Sequence, residues 1–292
     1  MKFNITYFGP EWIYHLRRDF ILLLKNSLSD LGHTVNIEWK KIDNQSINLV
    51  IGAYFLEKEL LLKLANSKIN YININTEIIS NDLLNFNPKK VDLINAYVPM
   101  MKSAFARWDV VEDNIKQYEN YDMNANFIRW GYHPSLNEIE HRKEKDLDFY
   151  FFGMMSPRRK EIINVLSNFG LRGIADHSCP YFLRNDRISR AKINLNLKQD
   201  DKYNHVNAFR ICYLINNNSY VISEDENDPS GYLKYIDVCN LDEMINTIND
   251  VISTNSWKTN GERSTELYRK TTMNSIMERL IHDTFSQNSN NN

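Results

Sequence analysis

The chain has 292 residues, of which 42% are hydrophobic and 25% charged, and its 35 basic and 37 acidic side chains give a formal net charge of -2. This length favours two domains, the balanced charge excludes a field that would pull the whole chain onto a nucleic acid, and the apolar runs are too short to cross a bilayer. The three cysteines, Cys179, Cys212 and Cys239, lie far apart, which excludes a disulfide framework or a zinc ribbon.

The first third of the chain alternates short apolar runs with helical patterns. We predict strands over residues 2–7, 34–39, 47–51, 70–75 and 91–96, and helices over residues 12–31 and 57–66. Gly32 follows the first predicted helix, at the position where glycine commonly ends a helix. Strands and helices that alternate with short connectors predict a parallel sheet covered on both faces.

A second α/β series follows a break in this pattern at residues 126–136. We predict strands over residues 148–152, 192–197 and 220–223, and helices over residues 158–169, 184–190, 207–214, 241–253 and 263–285. The domains expected are an N-terminal lobe over residues 1–132, a C-terminal lobe over residues 133–285 whose last helix is able to pack back on the first lobe, and a disordered tail over residues 286–292. The fold class is therefore predicted to be α/β, with two Rossmann-like lobes that face an interlobe cleft.

Five segments carry a resemblance to a known family. Four follow one another from Ile128: IRWGYHPSL, LDFYFFGMMSPRRKEIINVLSNFGLRG, SRAKINLNLKQDD and NAFRICYLINNNSYVISE; the fifth, YININTE, lies upstream at residues 71–77. Together they resemble glycosyltransferases of the two-lobed GT-B type, in the branch that includes spore-maturation-like bacterial enzymes. The resemblance spans about two thirds of the chain. It implies a nucleotide-diphosphate sugar as donor substrate, no further cofactor and no metal site.

The first part of the expected donor site is the turn after the strand over residues 148–152. Gly153 permits a close backbone approach, and Arg158 and Arg159 follow at the start of a helix. Two guanidinium groups there would clamp a diphosphate through bidentate hydrogen bonds. The same residues are also typical of a solvated helix start, and the sequence leaves both interpretations open.

The second part of the expected donor site surrounds the helix near residue 207, whose first N–H groups favour an anion. The residues expected to bind phosphate are Lys198, His205, Asn207 and Arg210. Tyr203 is expected to stack on the donor, and Glu224 is expected to bind sugar hydroxyls through its carboxylate. A surface loop would have the same composition. Retaining members of the wider class place two glutamates around this helix, where this chain has Asn204 and Cys212. The resemblance therefore implies no stereochemical course.

The acceptor side is expected in the first lobe. A general base must remove a proton from the acceptor hydroxyl, and the candidates are Glu11, His15 and Glu77. Glu11 and His15 are spaced one helical turn apart, which is also typical of an ordinary surface pair. Glu77 follows a predicted strand and falls within the segment that carries the resemblance.

Three functions remain open at this point. The first is transfer of a sugar to an unknown glycan, protein, small-molecule or nucleic-acid acceptor, in the cytoplasm, since no secretory signal is recognised. The second is a phage or viral DNA-base glycosyltransferase, for which the basic residues available are Lys102, Arg107, Arg129, Arg142 and Lys143. The third is a non-catalytic nucleotide-sugar binding protein, which the missing glutamate pair favours.

Overall fold

The computed structural model describes residues 1–87, 89 and 91–289, which form two compact units. The first unit combines Met1–Trp130 with Met273–Asn292, and the second unit is Gly131–Thr272. The chain passes from one unit to the other within the break at residues 126–136, and its last helix returns to the first unit. No helix among the described residues is both long and apolar enough to span a membrane.

The first unit is built on a six-stranded sheet. Numbered along the whole chain, its strands are β1 (Lys2–Tyr7), β2 (Thr34–Trp39), β3 (Ile47–Ile51), β4 (Tyr71–Asn75), β7 (Ala106–Asp109) and β8 (Asn126–Phe127), with β5 (Ile79–Ser80) and β6 (Leu83–Leu84) forming a separate hairpin. The sheet order is β2-β1-β3-β4-β7-β8, and every neighbouring pair is parallel. All carboxyl ends therefore lie along one edge of the sheet.

Helices pack against this sheet through apolar faces at helical spacing. They are α1 (Glu11–Asp30), α2 (Lys58–Ala65), α3 (Val98–Ser103), α4 (Asn114–Gln117) and α10 (Met273–Ser289). On α1 the buried positions Phe20, Leu24 and Leu28 repeat every four residues, and Phe20 stacks on Trp130 with ring centroids 5.3 Å apart. Helix α10 packs against α1, so the end of the chain completes the core of the first unit.

One strand predicted in the first unit is wrong. Residues 91–96 hold a wide helical turn, Leu93–Tyr97, instead of a strand. The side chain of Asp92 accepts a hydrogen bond from the backbone N–H of Asn95, and the buried residues Leu93, Ala96 and Tyr97 lie at helical spacing. The strand that pairs with β4 is β7, which begins fifteen residues after the start of the predicted strand and which sequence analysis did not predict.

The second unit has a five-stranded parallel sheet. Its strands are β9 (Leu147–Phe152), β10 (Gly173–Asp176), β11 (Ala191–Asn196), β12 (Val221–Glu224) and β13 (Asp237–Cys239), in the order β10-β9-β11-β12-β13. Its helices are α5 (Pro157–Asn168), α6 (Tyr181–Arg190), α7 (Ala208–Asn216), α8 (Met244–Thr254) and α9 (Trp257–Tyr268). Parallel strands flanked by helices in both units confirm the α/β fold class.

The closing helix predicted over residues 263–285 is in fact two helices, α9 and α10. The chain between them forms a turn and a bend, ending in a bridge at Thr272, and the backbone carbonyl of Thr271 accepts a hydrogen bond from the N–H of Tyr132, 2.8 Å away. This pairing keeps α9 and α10 separate, because Thr271 and Thr272 pair with Tyr132 there and do not continue the helix. Helix α10 runs to Ser289, so residues 286–289 of the predicted tail are helical, while residues 290–292 lie outside the described residues.

Candidate functional site

Three arginines gather at the carboxyl edge of the sheet in the second unit. Strands β9, β11 and β12 all end there, because the carboxyl ends of parallel strands share one edge. Arg158 and Arg159 reach this edge from the first turn of α5, which Ser156 caps by accepting a hydrogen bond from the N–H of Arg159. Arg210 reaches it from the first turn of α7, which is capped in the same way by Asn207.

Arg210 ties two strand ends together. Its side chain is 4% exposed; Nε donates to the carbonyl of Phe152 at 2.9 Å, and Nη1 donates to Oδ1 of Asn196 at 2.7 Å. Burial, followed by the nearby charge of Arg159, lowers the pKa of Arg210 to about 9. Among the described residues Nη2 has no acceptor, and it lies against Gly153. A charged donor thus remains available beside the turn that follows β9.

Arg159 is equally buried and makes only neutral contacts. Nε and Nη2 donate to the carbonyl of Leu197 at 3.1 and 2.5 Å, and Nη1 donates to the carbonyl of Met154 at 2.8 Å. Burial lowers the pKa of this guanidinium to about 10. In the part of the chain that the structure describes, neither Arg159 nor Arg210 has a carboxylate within ion-pair distance. The edge therefore holds two buried cations that no carboxylate of the described residues contacts directly.

Arg158 and Glu224, predicted to hold different parts of the donor, form an ion pair instead. Arg158 Nη1 and Nη2 donate to the two oxygens of Glu224 at 2.9 and 2.5 Å, and the hydrogen bonds to Glu224 raise the pKa of Arg158. Glu224, the last residue of β12, also accepts from the backbone N–H of Lys198 at 2.7 Å. The pair joins α5 to the ends of β11 and β12 while leaving Arg158 partly exposed.

Glu226 belongs to the same edge, and sequence analysis missed it. Asn196 donates to Oε2 of Glu226 at 2.7 Å while accepting from Arg210, so one amide links the carboxyl to the guanidinium. Burial raises the pKa of Glu226 to about 7. The signal in the sequence was only the acidic run Glu224–Asp228, which gives no indication of which carboxyl becomes buried.

The loop between β11 and α7 carries the remaining predicted donor ligands. Lys198, Tyr203 and His205 are each partly exposed, and the ammonium of Lys202 lies 5.4 Å from the ring centroid of Tyr203. The carbonyl of Asn227 accepts from the N–H of Val206 at 3.2 Å, which anchors the end of the loop just before α7. The structure thus brings Lys198 and the start of α7 to the arginine cluster and places Tyr203 and His205 on the loop between them.

Gly153 is the most sensitive backbone position of this edge. Its φ is +140°, and a Cβ added there meets Nη2 of Arg210. We expect Gly153→Ala to lose about 1–3 kcal/mol in the free energy of unfolding and to displace the guanidinium. Gly170→Ala is the matched control, because its φ is +85° but its Cβ would meet nothing within 4 Å. Urea unfolding should show a lower free energy of unfolding in both variants, with the larger loss in Gly153→Ala. If the two losses are equal, the contact with Arg210 contributes nothing to stability.

In the first unit, Glu77 is buried and accepts hydrogen bonds from at least three side chains of the described residues. It accepts from Arg17 Nη2 at 2.7 Å, from the hydroxyl of Tyr54 at 2.8 Å and from Nδ2 of Asn85. Thr76 also bonds the hydroxyl of Tyr54, 2.9 Å away. These contacts fix the loop that follows β4. A carboxylate that accepts hydrogen bonds from an arginine and a hydroxyl is suited to anchoring this loop. It must lose one of these hydrogen bonds before it can accept a proton from a substrate.

Asp109 ends β7 at the same edge and was not a candidate from the sequence. Its oxygens accept from the side chains of Asn75, Asn114 and Tyr118 and from the backbone N–H of Val111, at 2.7 to 3.1 Å. Burial nevertheless raises the pKa of Asp109 to about 7. Together with Glu77, it forms a polar network that organises the carboxyl edge of the first sheet.

Glu11 and His15, the other two predicted bases, lie in the first turns of α1. Glu11 is exposed and His15 is partly exposed. Neither forms a hydrogen bond or an ion pair with the other among the described residues; the ring of His15 lies edge-on to Tyr14, with centroids 6.4 Å apart. His15 is therefore accessible to a solute, whereas Glu77 is not.

Several of the basic residues considered for a DNA-binding face are already engaged. Arg107 donates to the carbonyls of Asn124, Met101 and Ala104, Lys102 pairs with Asp122 at 3.8 Å, and Arg142 pairs with Asp186 at 2.6 Å. No cluster of three His, Cys, Asp or Glu side chains able to hold a metal ion occurs among the residues described.

Comparison with known proteins identifies the fold. No family model matches the chain, and no curated protein matches its sequence. Among solved structures, an alpha-glucosyltransferase in complex with UDP and a 13-mer DNA is 9% identical with a TM-score of 0.67, over 98% of this chain and 100% of that one. T4 phage BGT in complex with UDP-glucose is 14% identical with a TM-score of 0.60, over 97% and 99%. AviGT4, a glycosyltransferase involved in avilamycin A biosynthesis, is 10% identical with a TM-score of 0.56, over 97% of both chains. The chain has the GT-B-type fold of these structures.

Proposed function

We propose that the chain is a glycosyltransferase that takes a sugar from a nucleotide-diphosphate donor. The observation that carries the proposal is the carboxyl edge of the second unit, where, among the described residues, no carboxylate contacts the buried Arg159 and Arg210 directly and one donor of Arg210 has no acceptor. On a GT-B-type fold, this edge is where a diphosphate would neutralise the excess positive charge. The same fold occurs in structures that hold UDP or UDP-glucose.

In this proposal, positive charge already in place stabilises the departing diphosphate. Nη2 of Arg210 and the first N–H groups of α7 would face the phosphates, with Lys198 and Arg158 at the margin. Gly153 leaves the room for that approach. Glu224 has two oxygens that already accept three hydrogen bonds, which leaves capacity for a sugar or ribose hydroxyl. Tyr203 and His205 would contact the donor from the loop, and the chain itself supplies the cations that a metal would otherwise provide.

For the acceptor side, we propose that the first unit supplies the general base. His15 is favoured over Glu77, because it is accessible and its ring has no hydrogen-bond partner among the described residues. Glu11 would orient or assist it, one helical turn away. Glu77 would act by holding its loop through Arg17 and Tyr54. Membership of the spore-maturation-like branch and a cytoplasmic location are further parts of the proposal.

DNA is the acceptor that one observation favours, since an alpha-glucosyltransferase of the same fold has been solved with DNA over nearly the full length of both chains. Against it stand the balanced net charge and the engaged side chains of Lys102, Arg107 and Arg142. A glycan, a protein or a small molecule is the alternative acceptor. Binding of a DNA duplex that weakens steeply with added salt would support DNA.

The test is a thermal-unfolding panel of nucleoside diphosphates and sugar nucleotides, followed by assay of nucleotide release. A true donor present at about 100 times its Kd should add about 2.7 kcal/mol to the free energy of unfolding. Arg158→Ala should weaken that donor by about tenfold, since one charge-assisted hydrogen bond is worth about 1.5 kcal/mol or more. Lys160→Ala, on the same turn of α5 but exposed, is the matched control.

Two outcomes would contradict the proposal. If no nucleotide shifts the unfolding of the wild-type chain, the edge is not a donor site. If a nucleotide binds tightly but no sugar nucleotide releases its nucleotide with water, DNA or glycan acceptors, the chain is a binding protein instead of an enzyme.

A further inference from the structure

A separate pocket lies at the opposite, amino-terminal edge of the sheet in the second unit. It is a cavity of about 310 Å³. Lys145 comes just before β9, Ala191 begins β11, Tyr220 comes just before β12 and Trp257 begins α9, and all four line it. Pockets for small molecules start at about 300 Å³. This cavity shares no residue with the arginine cluster at the carboxyl edge.

The lining of this amino-edge pocket is cationic, although the chain as a whole carries a net charge of -2. Glu262 is its sole acidic residue among those described, whereas five basic side chains line it: Arg142, Lys143, Lys145, Lys192 and Lys258. Arg142 and Lys192 are paired with aspartates at 2.6 and 2.9 Å. The other three, Lys143, Lys145 and Lys258, have no carboxylate within ion-pair distance in the described ranges, so the lining has more positive than negative charge.

Lys145 is the group that best defines a binding site. Nε2 of His141 lies 2.6 Å from the carbonyl of Asn217, so this nitrogen carries the proton and Nδ1 is left to accept. The ammonium of Lys145 donates to that Nδ1 and to the carbonyl of Ser189, each at 3.0 Å. An ammonium has three donors, and the third has no acceptor among the residues described. The pocket therefore contains a fixed, half-buried cation with one free donor.

An apolar wall stands beside this cation. The ammonium of Lys145 lies 5.2 Å from the ring centroid of Trp257, and Ile139 adds an aliphatic side chain to the lining. Burial lowers the pKa of Lys145 to about 8, and a bound anion would reverse that shift. A cation beside an indole ring suits a ligand that has both a phosphate and a flat or apolar group.

We infer that the amino-edge pocket binds a small organic phosphate of about the size of a nucleoside monophosphate. The phosphate would lie between Lys145, Lys143 and Lys258, with the rest of the ligand along Trp257. A recessed cavity at the lower end of the small-molecule range favours this ligand over a nucleic acid, which needs an extended basic stripe. The inference does not depend on the proposed transferase activity, because the two sites lie at opposite ends of the strands.

The experiment uses adenosine monophosphate as probe, with inorganic phosphate and a DNA duplex as comparison arms. Binding is followed by tryptophan fluorescence, and Trp257→Phe identifies the part of the signal that comes from the pocket. We expect saturable binding of the monophosphate that weakens at least tenfold in Lys145→Met and severalfold in Lys258→Gln. Lys258 is exposed, so its replacement keeps the test valid if Lys145→Met fails to fold.

The matched control is Arg158→Ala at the carboxyl edge. It should leave the monophosphate unaffected, while the two lysine variants should leave the binding of UDP unaffected. The inference is overturned if the monophosphate does not bind, or if only Arg158→Ala weakens it, since the probe would then occupy the carboxyl edge. The inference is also overturned if the duplex binds, the monophosphate does not, and duplex binding is lost in the lysine variants. The pocket would then be part of a nucleic-acid surface.

Discussion

Arg210→Met is expected to weaken the binding of the nucleotide donor by about 100-fold or more. Two charge-assisted hydrogen bonds to phosphate from Nη2 are worth about 3 kcal/mol or more, and about 1.4 kcal/mol corresponds to a tenfold change in Kd. The substitution also releases the ends of β9 and β11, because Nε and Nη1 hold Phe152 and Asn196. Isothermal titration with UDP and UDP-glucose measures the change.

Two further variants make this result interpretable. Arg210→Lys keeps the charge but loses the planar fork, so its affinity should fall between those of the wild type and Arg210→Met. Arg190→Met removes an arginine that pairs with Asp146 at 2.5 Å before β9, at the far edge of the sheet, and should leave Kd unchanged. An Arg210→Met variant that folds and binds UDP within about threefold of the wild type would show that the buried cations are purely structural.

The sequence predicted most strands closely, and it placed β1, β2 and β3 to the residue although β2 is largely exposed. Strands β1, β4 and β9 were placed within one residue, because both faces of a parallel sheet bury their side chains. Strands β10 (Gly173–Asp176) and β13 (Asp237–Cys239) were missed, since they are short, partly exposed edge strands with little apolar pattern. The wide helical turn at Leu93–Tyr97 was mistaken for a strand, because so short a mostly apolar run fits either period.

For the site, the sequence indicated which residues gather at the carboxyl edge but not how they pair. Strand ends and helix starts are local features, so Gly153, Arg158, Asn207 and Arg210 could be assigned to one edge. Arg158 and Glu224 are 66 residues apart, and their ion pair depends on the order of β9, β11 and β12, which no local pattern encodes.

The same limit explains the two carboxyls that sequence analysis missed. Asp109 and Glu226 look ordinary in the sequence, and their pKa values of about 7 arise from burial that only the folded chain creates. Buried charge is a tertiary property. It was visible neither in the acidic run that contains Glu226 nor in the strand end that contains Asp109.

His15→Gln and Glu77→Gln are expected to act in opposite ways, which separates a base from an anchor. If His15 takes the proton of the acceptor, His15→Gln should lower kcat for nucleotide release from the donor by about 100-fold or more. Its stability and its Kd for UDP should match the wild type, because the ring makes no hydrogen bond among the described residues. Glu77→Gln should instead lose about 3 kcal/mol in the free energy of unfolding, since it leaves the largely buried guanidinium of Arg17 without this carboxylate. Glu11→Gln is the control on the same helix, and we expect a severalfold effect on kcat at most. A Glu77→Gln variant of wild-type stability that has lost turnover, beside a fully active His15→Gln, would assign the base to Glu77 and show that Arg17 releases it during the reaction.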